Sequence, residues 1–489
     1  MSSIRRQFVL SYAQKYLSIA VQFASMVIIA RLLGPEEVGQ FALAVAFIAL
    51  ATVLAELGQQ DYLIQVEAID PTRERTALGV AWLSSWICAA ATALLAILLV
   101  PADQPGFRQI ILTLAVALCL KPFSLLMRAR WLRRMQFQRL LIVNASRDVI
   151  SSAGTILFVY LGFGPVGLAL GLLLEEVVMV AWASFHHSRN GWVRPSLRDA
   201  RELLHFGFFR SGVYALGQFG DSASRLAMGG LLGTGALGLV NRAQKITAIF
   251  DKVVLEGFMP VLLPYLSSQL REGADISREL VRKSVILSGI AWPFFAFVAL
   301  AAEPIVALLL GHRWAAAAPV LRILSLGGLA LPISAGMYLF LTAMGLLRPF
   351  LPLQLLTQAV VVAIAALGSL FGVEWACVAF VLGHWLKAAA TMHLIRRKSG
   401  FKIDVLRPAI RANGLLVLIT MAAVLAGLQL PLPPAWLAVV CSAQFAGSWL
   451  LGIYLVKHPL AGEVSAVAKR VLGGTLVGKT FGGWRAWQR

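Results

Sequence analysis

The sequence predicts an all-α polytopic membrane protein with about fourteen transmembrane helices. Three observations carry this. The chain is 59% hydrophobic and only 13% charged, against roughly 25% charged in soluble globular proteins. Apolar runs near the roughly 20 residues that a bilayer needs recur from end to end. The connections between them alternate between basic and nearly free of Lys and Arg, the asymmetry that fixes orientation.

Taken in order, residues 4–16 read as the start of an interfacial amphipathic helix, with Ile4, Phe8, Tyr12 and Tyr16 beside Arg5, Arg6 and Lys15. The apolar stretch continues to Leu33 without an A-x-A-like site, so no cleavable signal peptide is expected. Spans follow at about 12–33, 38–58, 77–100, 110–127, 141–161 and 166–186. Residues 71–75 and 128–134 are basic, whereas 33–37, 101–105 and 162–165 are short and almost free of Lys and Arg. The amino terminus is therefore expected in the cytoplasm. A longer basic connection, 186–205, marks the boundary between a first lobe (1–204) and a second (205–404). The second set of spans lies at about 206–232, 237–265, 284–310, 318–343, 349–371 and 373–395, with Pro260, Pro264, Pro293 and Pro332 inside as kink sites. Two further helices, about 412–430 and 435–456, and a basic tail complete residues 405–489. Both termini are expected inside.

The formal charge of +20 gathers in the short cytoplasmic connections, so it argues topology and not nucleic acid. The four cysteines lie in apolar runs without CxxC spacing, which leaves no expected disulfide or zinc site. His186 and His187 are adjacent, which is not metal-ligand spacing, and they read as interface residues, as does Trp314 in an outer loop.

The two lobes are related. Arg31-Leu-Leu-Gly-Pro-Glu-Glu-Val-Gly39 aligns at one constant offset with Gly230-Leu-Leu-Gly-Thr-Gly-Ala-Leu-Gly238, and both form the hairpin between the first two spans of a set. An even number of spans per set gives both lobes the same orientation, a parallel repeat of two six-helix lobes.

The functional residues are expected in the second lobe. Ser211, Tyr214, Gln218, Asp221 and Arg225 follow at steps of three and four, on one face of a helix. After the turn at 233–236, Asn241, Lys245 and Lys252 share a face, with Arg242 beside them. Charge within a transmembrane helix is costly and faces a partner or an aqueous cavity. Gln218, Arg225, Asn241, Arg242, Lys245 and Lys252 are therefore the candidate substrate-binding set. Asp221 and Glu56 are candidates for ion coupling or charge pairing. At the repeat offset the first lobe offers Gln22, Met26, Ala46 and Val53 instead, so it lacks the cationic stripe, with Lys15 its nearest substitute. Arg147 with Glu175 or Glu176 reads as an interhelical ion pair.

The stretch Ala30-Arg-Leu-Leu-Gly-Pro-Glu-Glu-Val-Gly-Gln-Phe-Ala42 resembles the first hairpin of bacterial oligosaccharide flippases, the polysaccharide-export branch of the multidrug/oligosaccharidyl-lipid/polysaccharide superfamily. Residues 55–58, 226–243 and 302–321 agree in order and spacing, and the resemblance covers about 10–400. It implies two lobes around a V-shaped cavity that opens alternately to each side of the bacterial cytoplasmic membrane. The implied cargo is an undecaprenyl-pyrophosphate-linked oligosaccharide, with a polymerase and co-polymerase as pathway partners and no nucleic acid. A multidrug or cation antiporter of the same superfamily is the alternative. A membrane-embedded glycan polymerase is the reading from another class. It would need a sizeable loop with catalytic groups, but there is no D-x-D, no HExxH and no Gly-rich phosphate loop here. No catalytic residue, metal ligand or cofactor is expected, apart from H⁺ or Na⁺ as a coupling ion.

Overall fold

A computed structural model describes residues 2–56, 58–66, 70–101, 103–134, 136–190, 193–198, 200–255, 276–330, 332, 337, 341, 347–399 and 407–465. Pro260, Pro264, the side chains of Ser211 and Tyr214, and the tail beyond 465 lie outside the described residues. No strand occurs among the described residues.

The helices begin where the local chemistry dictates. α1 (Ser2–Leu32) ends at a tight turn, and α2 (Pro35–Ala55) starts with proline at its first position. The Glu37 carboxylate accepts the Gly34 N–H at 2.8 Å, and Glu36 and Glu37 oppose the positive helix end. A short helix not expected from the sequence, α3 (Gln59–Gln65), follows Gly58 in the left-handed region (φ 73°). α4 (Pro71–Leu99) is capped by Asp70, whose side chain accepts the Arg73 N–H at 2.7 Å. α5 (Pro105–Leu120) and α6 (Pro122–Arg133) are one expected span bent by 47°. Pro122 removes a backbone donor at the bend, which sets Lys121 at its corner.

α7 (Phe137–Phe158) and α8 (Gly164–Asn190) are separated by a wide turn containing Gly162 (φ 89°). α9 (Ala200–Thr247) is broken at Gly233 (φ 84°). α10 (Ile276–Leu300) and α11 (Ala302–Leu309) bend by 78°. α12 (Ala317–Gly328), α13 (Leu347–Ser369), α14 (Val373–Ser399), α15 (Arg407–Leu428) and α16 (Pro434–Leu455) complete the order.

Among the described residues nine helical segments are long and apolar enough to cross a membrane, or up to eleven if each bent pair is one span. Two of the nine, Gln138–His187 and Leu216–Leu255, run 50 and 40 residues, about twice one bilayer crossing. Each contains a left-handed glycine where the sequence places a hairpin. The expected span 318–343 is described only in part. Large apolar side chains such as Leu98, Leu99 and Leu418 (each 68% exposed) point outward, as a lipid-facing surface requires.

The chain forms two compact units. The first comprises Met1–Arg242 and Gln354–Ala379, the second Ala243–Leu353 and Phe380–Arg489. The core of the first is built from small and branched residues, Ala44 and Ile48 of α2 against Ile110, Leu114 and Leu118 of α5 and Ala169 of α8. Alanine at the contact lets neighbouring helices approach closely. In the second unit Phe250, Phe294 and Phe295 interlock with ring centroids 5.1–5.4 Å apart. There a buried polar chain also joins α10 and α15 to the turn that follows α16. Asn413 donates to Ser288 Oγ at 2.6 Å and lies 2.7 Å from His458 Nε2. Trp314 is fully buried, not an interface anchor. His186 and His187 are buried too, His186 edge-on to Trp131 with centroids 5.2 Å apart. An imidazole packed edge-on against a tryptophan inside a helix bundle is a packing group, which the adjacency of the two histidines did not reveal.

Candidate functional site

The two hairpins matched by the sequence repeat pack against each other. A Cβ placed on Gly39 would fall 1.6 Å from the Thr234 carbonyl oxygen, and one on Gly238 would fall 1.8 Å from the Pro35 carbonyl oxygen. Thr234 is the repeat counterpart of Pro35, and Gly238 that of Gly39. The contact is therefore reciprocal, as a local two-fold axis between repeats demands. Only glycine allows backbone to meet backbone this closely.

A cavity of about 310 Å³ lies in the first unit. Val45, Ile48 and Val53 of α2, Leu114 and Leu118 of α5 and Leu172 of α8 form its apolar wall. Its polar end is Glu56, Lys121, Glu175, Glu176 and, from α9, Gln218. Two candidates from the sequence, Glu56 and Gln218, thus meet in one cavity. Asp221 and Arg225 continue the face of Gln218 along α9.

The charges around this cavity are mostly matched. Lys121 Nζ donates to Glu56 Oε1 at 2.8 Å. Arg147 lies 3.2 Å from Glu175 and 2.9 Å from Asp148, the interhelical pair expected from the sequence. Glu176 makes no hydrogen bond or ion pair within 4 Å among the described residues. The first lobe therefore carries a cavity lysine outside the repeat register. That lysine, Lys121, stands at the corner of the bend at Pro122.

The remaining candidates divide. Asp221 Oδ1 accepts a hydrogen bond from Gln358 Nε2 at 3.4 Å and forms no ion pair with Arg225. Gly220 makes room for that contact, since a Cβ there would overlap the Gln358 side chain at 1.9 Å. Arg225 and Asn241 are half-buried, Arg242 is 2% exposed, and Lys245 and Lys252 are exposed. Lys245 and Lys252 belong to the second unit, the others to the first.

A second, basic pocket of about 620 Å³ lies among Asp70, Glu74, Arg130, Arg133, Arg134 and His186. Arg130 forks onto Glu74 at 2.7 and 2.6 Å. Arg133 donates to the carbonyls of Leu63 and Val66. These arginines, read from the sequence as topology determinants, therefore also tie α3, α4 and α6 together. Among the described residues no His, Cys, Asp and Glu cluster could hold a metal ion, and all four cysteines are free.

Residues 28–319 match the family model described as "polysaccharide biosynthesis protein". The chain belongs to this family. A succinoglycan biosynthesis transport protein, ExoT of Rhizobium meliloti, is 24% identical over 329 residues, 65% of each chain. The lipopolysaccharide biosynthesis protein WzxC of Escherichia coli is 22% identical over 64% of each. The chain thus spans just under two thirds of the length of these relatives. Its fold is shared with the lipid II flippase MurJ in an inward closed conformation (TM-score 0.75, 10% identity, 95% of this chain and 99% of that one). It is also shared with a multidrug-resistance MATE transporter of the multidrug/oligosaccharidyl-lipid/polysaccharide superfamily (TM-score 0.60, 17% identity, 82% and 99%). The expected superfamily fold is thereby established, and this family member is a multi-pass membrane protein.

Proposed function

We propose that this family member is a flippase for undecaprenyl-pyrophosphate-linked oligosaccharides, working by alternating access between the lobes 1–204 and 205–404 and catalysing no covalent chemistry. The observation that carries this is the polar face of α9. Gln218 lines a cavity shared with helices of the first repeat, and Asp221 and Arg225 follow on the same face. Charge held at such depth serves a partner or a polar cargo. A pyrophosphate crossing apolar space needs cations, and arginine forks and lysine point charges supply charge-assisted hydrogen bonds. Arg225, Lys245 and Lys252 are the groups proposed to meet it, with Gln218 and Asn241 adding neutral hydrogen bonds. Arg242 is buried in this conformation and joins them only when the helices shift.

The lipid tail stays in the bilayer. Both termini are proposed to lie in the cytoplasm, and the polymerase and co-polymerase of the pathway are the proposed partners. Glu56 is committed to Lys121, which leaves Asp221 as the coupling-ion candidate. The test is restoration of glycan export in a flippase-null strain. Arg225→Ala should retain little export and Arg225→Lys part of it, since a hydrogen bond to a charged group contributes about 1.5–3 kcal/mol. Normal export by Arg225→Ala, Arg242→Ala and Lys245→Ala, each at normal abundance, would place the cargo site elsewhere.

The carboxylates of the cavity favour one second reading, a cation antiporter. Export of cationic drugs without rescue of glycan export would select it.

A further inference from the structure

The basic pocket of about 620 Å³ shares no lining residue with the cavity beside Gln218. Three span ends meet around it. α4 begins there at Pro71, the bent pair of α5 and α6 ends there at Arg133, and the 50-residue segment of α7 and α8 ends there at His187. Span ends mark the boundary between hydrocarbon and water, so the pocket stands at the level of the lipid headgroups. Its arginines come from the basic connection 128–134, and it lies on that side of the membrane.

Three guanidiniums and two carboxylates line the pocket. Glu74 takes both arms of Arg130, which makes a neutral pair. Asp70 accepts the Arg73 N–H at the start of α4, where the positive helix end opposes its charge. Arg133 is fixed in place by the carbonyls of Leu63 and Val66 at the end of α3. Arg134 is exposed, and its side chain makes no hydrogen bond or ion pair among the described residues. An arginine fork in that state suits phosphate oxygens, which it meets with two parallel N–H donors. The balance of three arginines to two carboxylates suits a single negative charge, as on a phosphodiester, better than the multiple charge of a pyrophosphate.

We infer that this pocket binds the phosphodiester of an anionic phospholipid from the leaflet on its own side, with Arg134 as the residue that grips the phosphate. Basic pockets between transmembrane helices take such headgroups. Arg130 and Arg133 stand beside Arg134 as fixed walls, and the Asp70 carboxylate accepts hydroxyl protons from a glycerol headgroup. The site is separate from the proposed cargo path along α9 and does not depend on what the protein transports.

The experiment titrates the purified full-length protein in detergent with phosphatidylglycerol or phosphatidylcholine. Binding is read by energy transfer from the tryptophans to a fluorophore on the lipid tail. Both lipids carry a phosphodiester, but the choline ammonium cancels its charge. Wild type should bind phosphatidylglycerol about tenfold more tightly than phosphatidylcholine. Arg134→Gln should reduce that preference to less than about threefold, and Arg134→Lys, which keeps the charge, should retain part of it. Arg194→Gln removes the same charge from an exposed site in the connection 186–205, outside the pocket, and should leave the preference at the wild-type level. Melting temperatures of these variants should match wild type, since Arg134 and Arg194 are both exposed. Inorganic phosphate at about 10 mM should displace no more lipid than chloride at the same ionic strength. Specific displacement by phosphate would make the pocket a free-anion site and overturn the lipid assignment. Equal affinity of wild type for the two lipids, or an equal loss in Arg134→Gln and Arg194→Gln, would overturn the site itself.

Discussion

The reciprocal glycine contact makes a sharp prediction about gating. If transport alternates access, the hairpins at 33–39 and 231–238 must separate and rejoin in each cycle. Gly39→Ala places a methyl 1.6 Å from the Thr234 carbonyl oxygen, where ordinary contact begins at 3.4 Å. The obstacle is backbone and cannot rotate away, so one hairpin must retreat by about 2 Å, beyond what a close-packed interior absorbs locally. Overpacking of this kind costs about 1–3 kcal/mol. At the upper value the closed pair loses about two orders of magnitude in population, since each 1.4 kcal/mol is tenfold. Gly238→Ala meets the Pro35 carbonyl at 1.8 Å and should act alike. Leu33, 3% exposed in the first hairpin, is the reporter. In a Leu33→Cys background either alanine should raise labelling by an impermeant maleimide added outside the cell and lower glycan export, at unchanged membrane abundance. Protection of the cysteine and normal export in both double variants would refute the idea that this contact is a gate.

Three further outcomes follow from particular contacts. Glu74→Gln breaks the forked pair with Arg130, whose side chains are 12% and 17% exposed. Removing one partner of a buried pair costs about 3–5 kcal/mol, so the melting temperature in detergent should fall clearly, whereas Glu303→Gln, in the exposed pair with Arg322, should leave it nearly unchanged. Burial pushes the His458 imidazole down to about 4. The folded state therefore prefers it neutral, and stability should decline as pH falls from about 6.5 to 4, by no more than about 3 kcal/mol, and no further below that. His458→Gln should flatten the melting-temperature profile in that window, and an unchanged slope would remove His458 from the account. For topology, Thr234→Cys should label from outside and Ser196→Cys only after permeabilisation; the reverse pattern would invert the orientation drawn from the basic connections.

The sequence by itself determined the class of the molecule, the positions of most of its helices and the internal repeat. Hydropathy and the Lys/Arg asymmetry are bulk transfer properties that need no knowledge of neighbours, and Pro35, Pro71 and Pro105 mark helix starts through local backbone geometry alone. The repeat hairpins were legible because Leu32, Leu33, Gly34 and Gly39 recur at one constant offset as Leu231, Leu232, Gly233 and Gly238. Tertiary structure decided which charges face which. Lys121 became a cavity residue only through a 47° bend, and the partner of Asp221 proved to be Gln358, 137 positions away, not Arg225 one turn along. Trp314 and the histidine pair went inward although their composition suits an interface. Helical periodicity tells which residues share a face. It cannot tell what that face meets, because the energy of a buried polar group depends on partners brought from elsewhere in the chain.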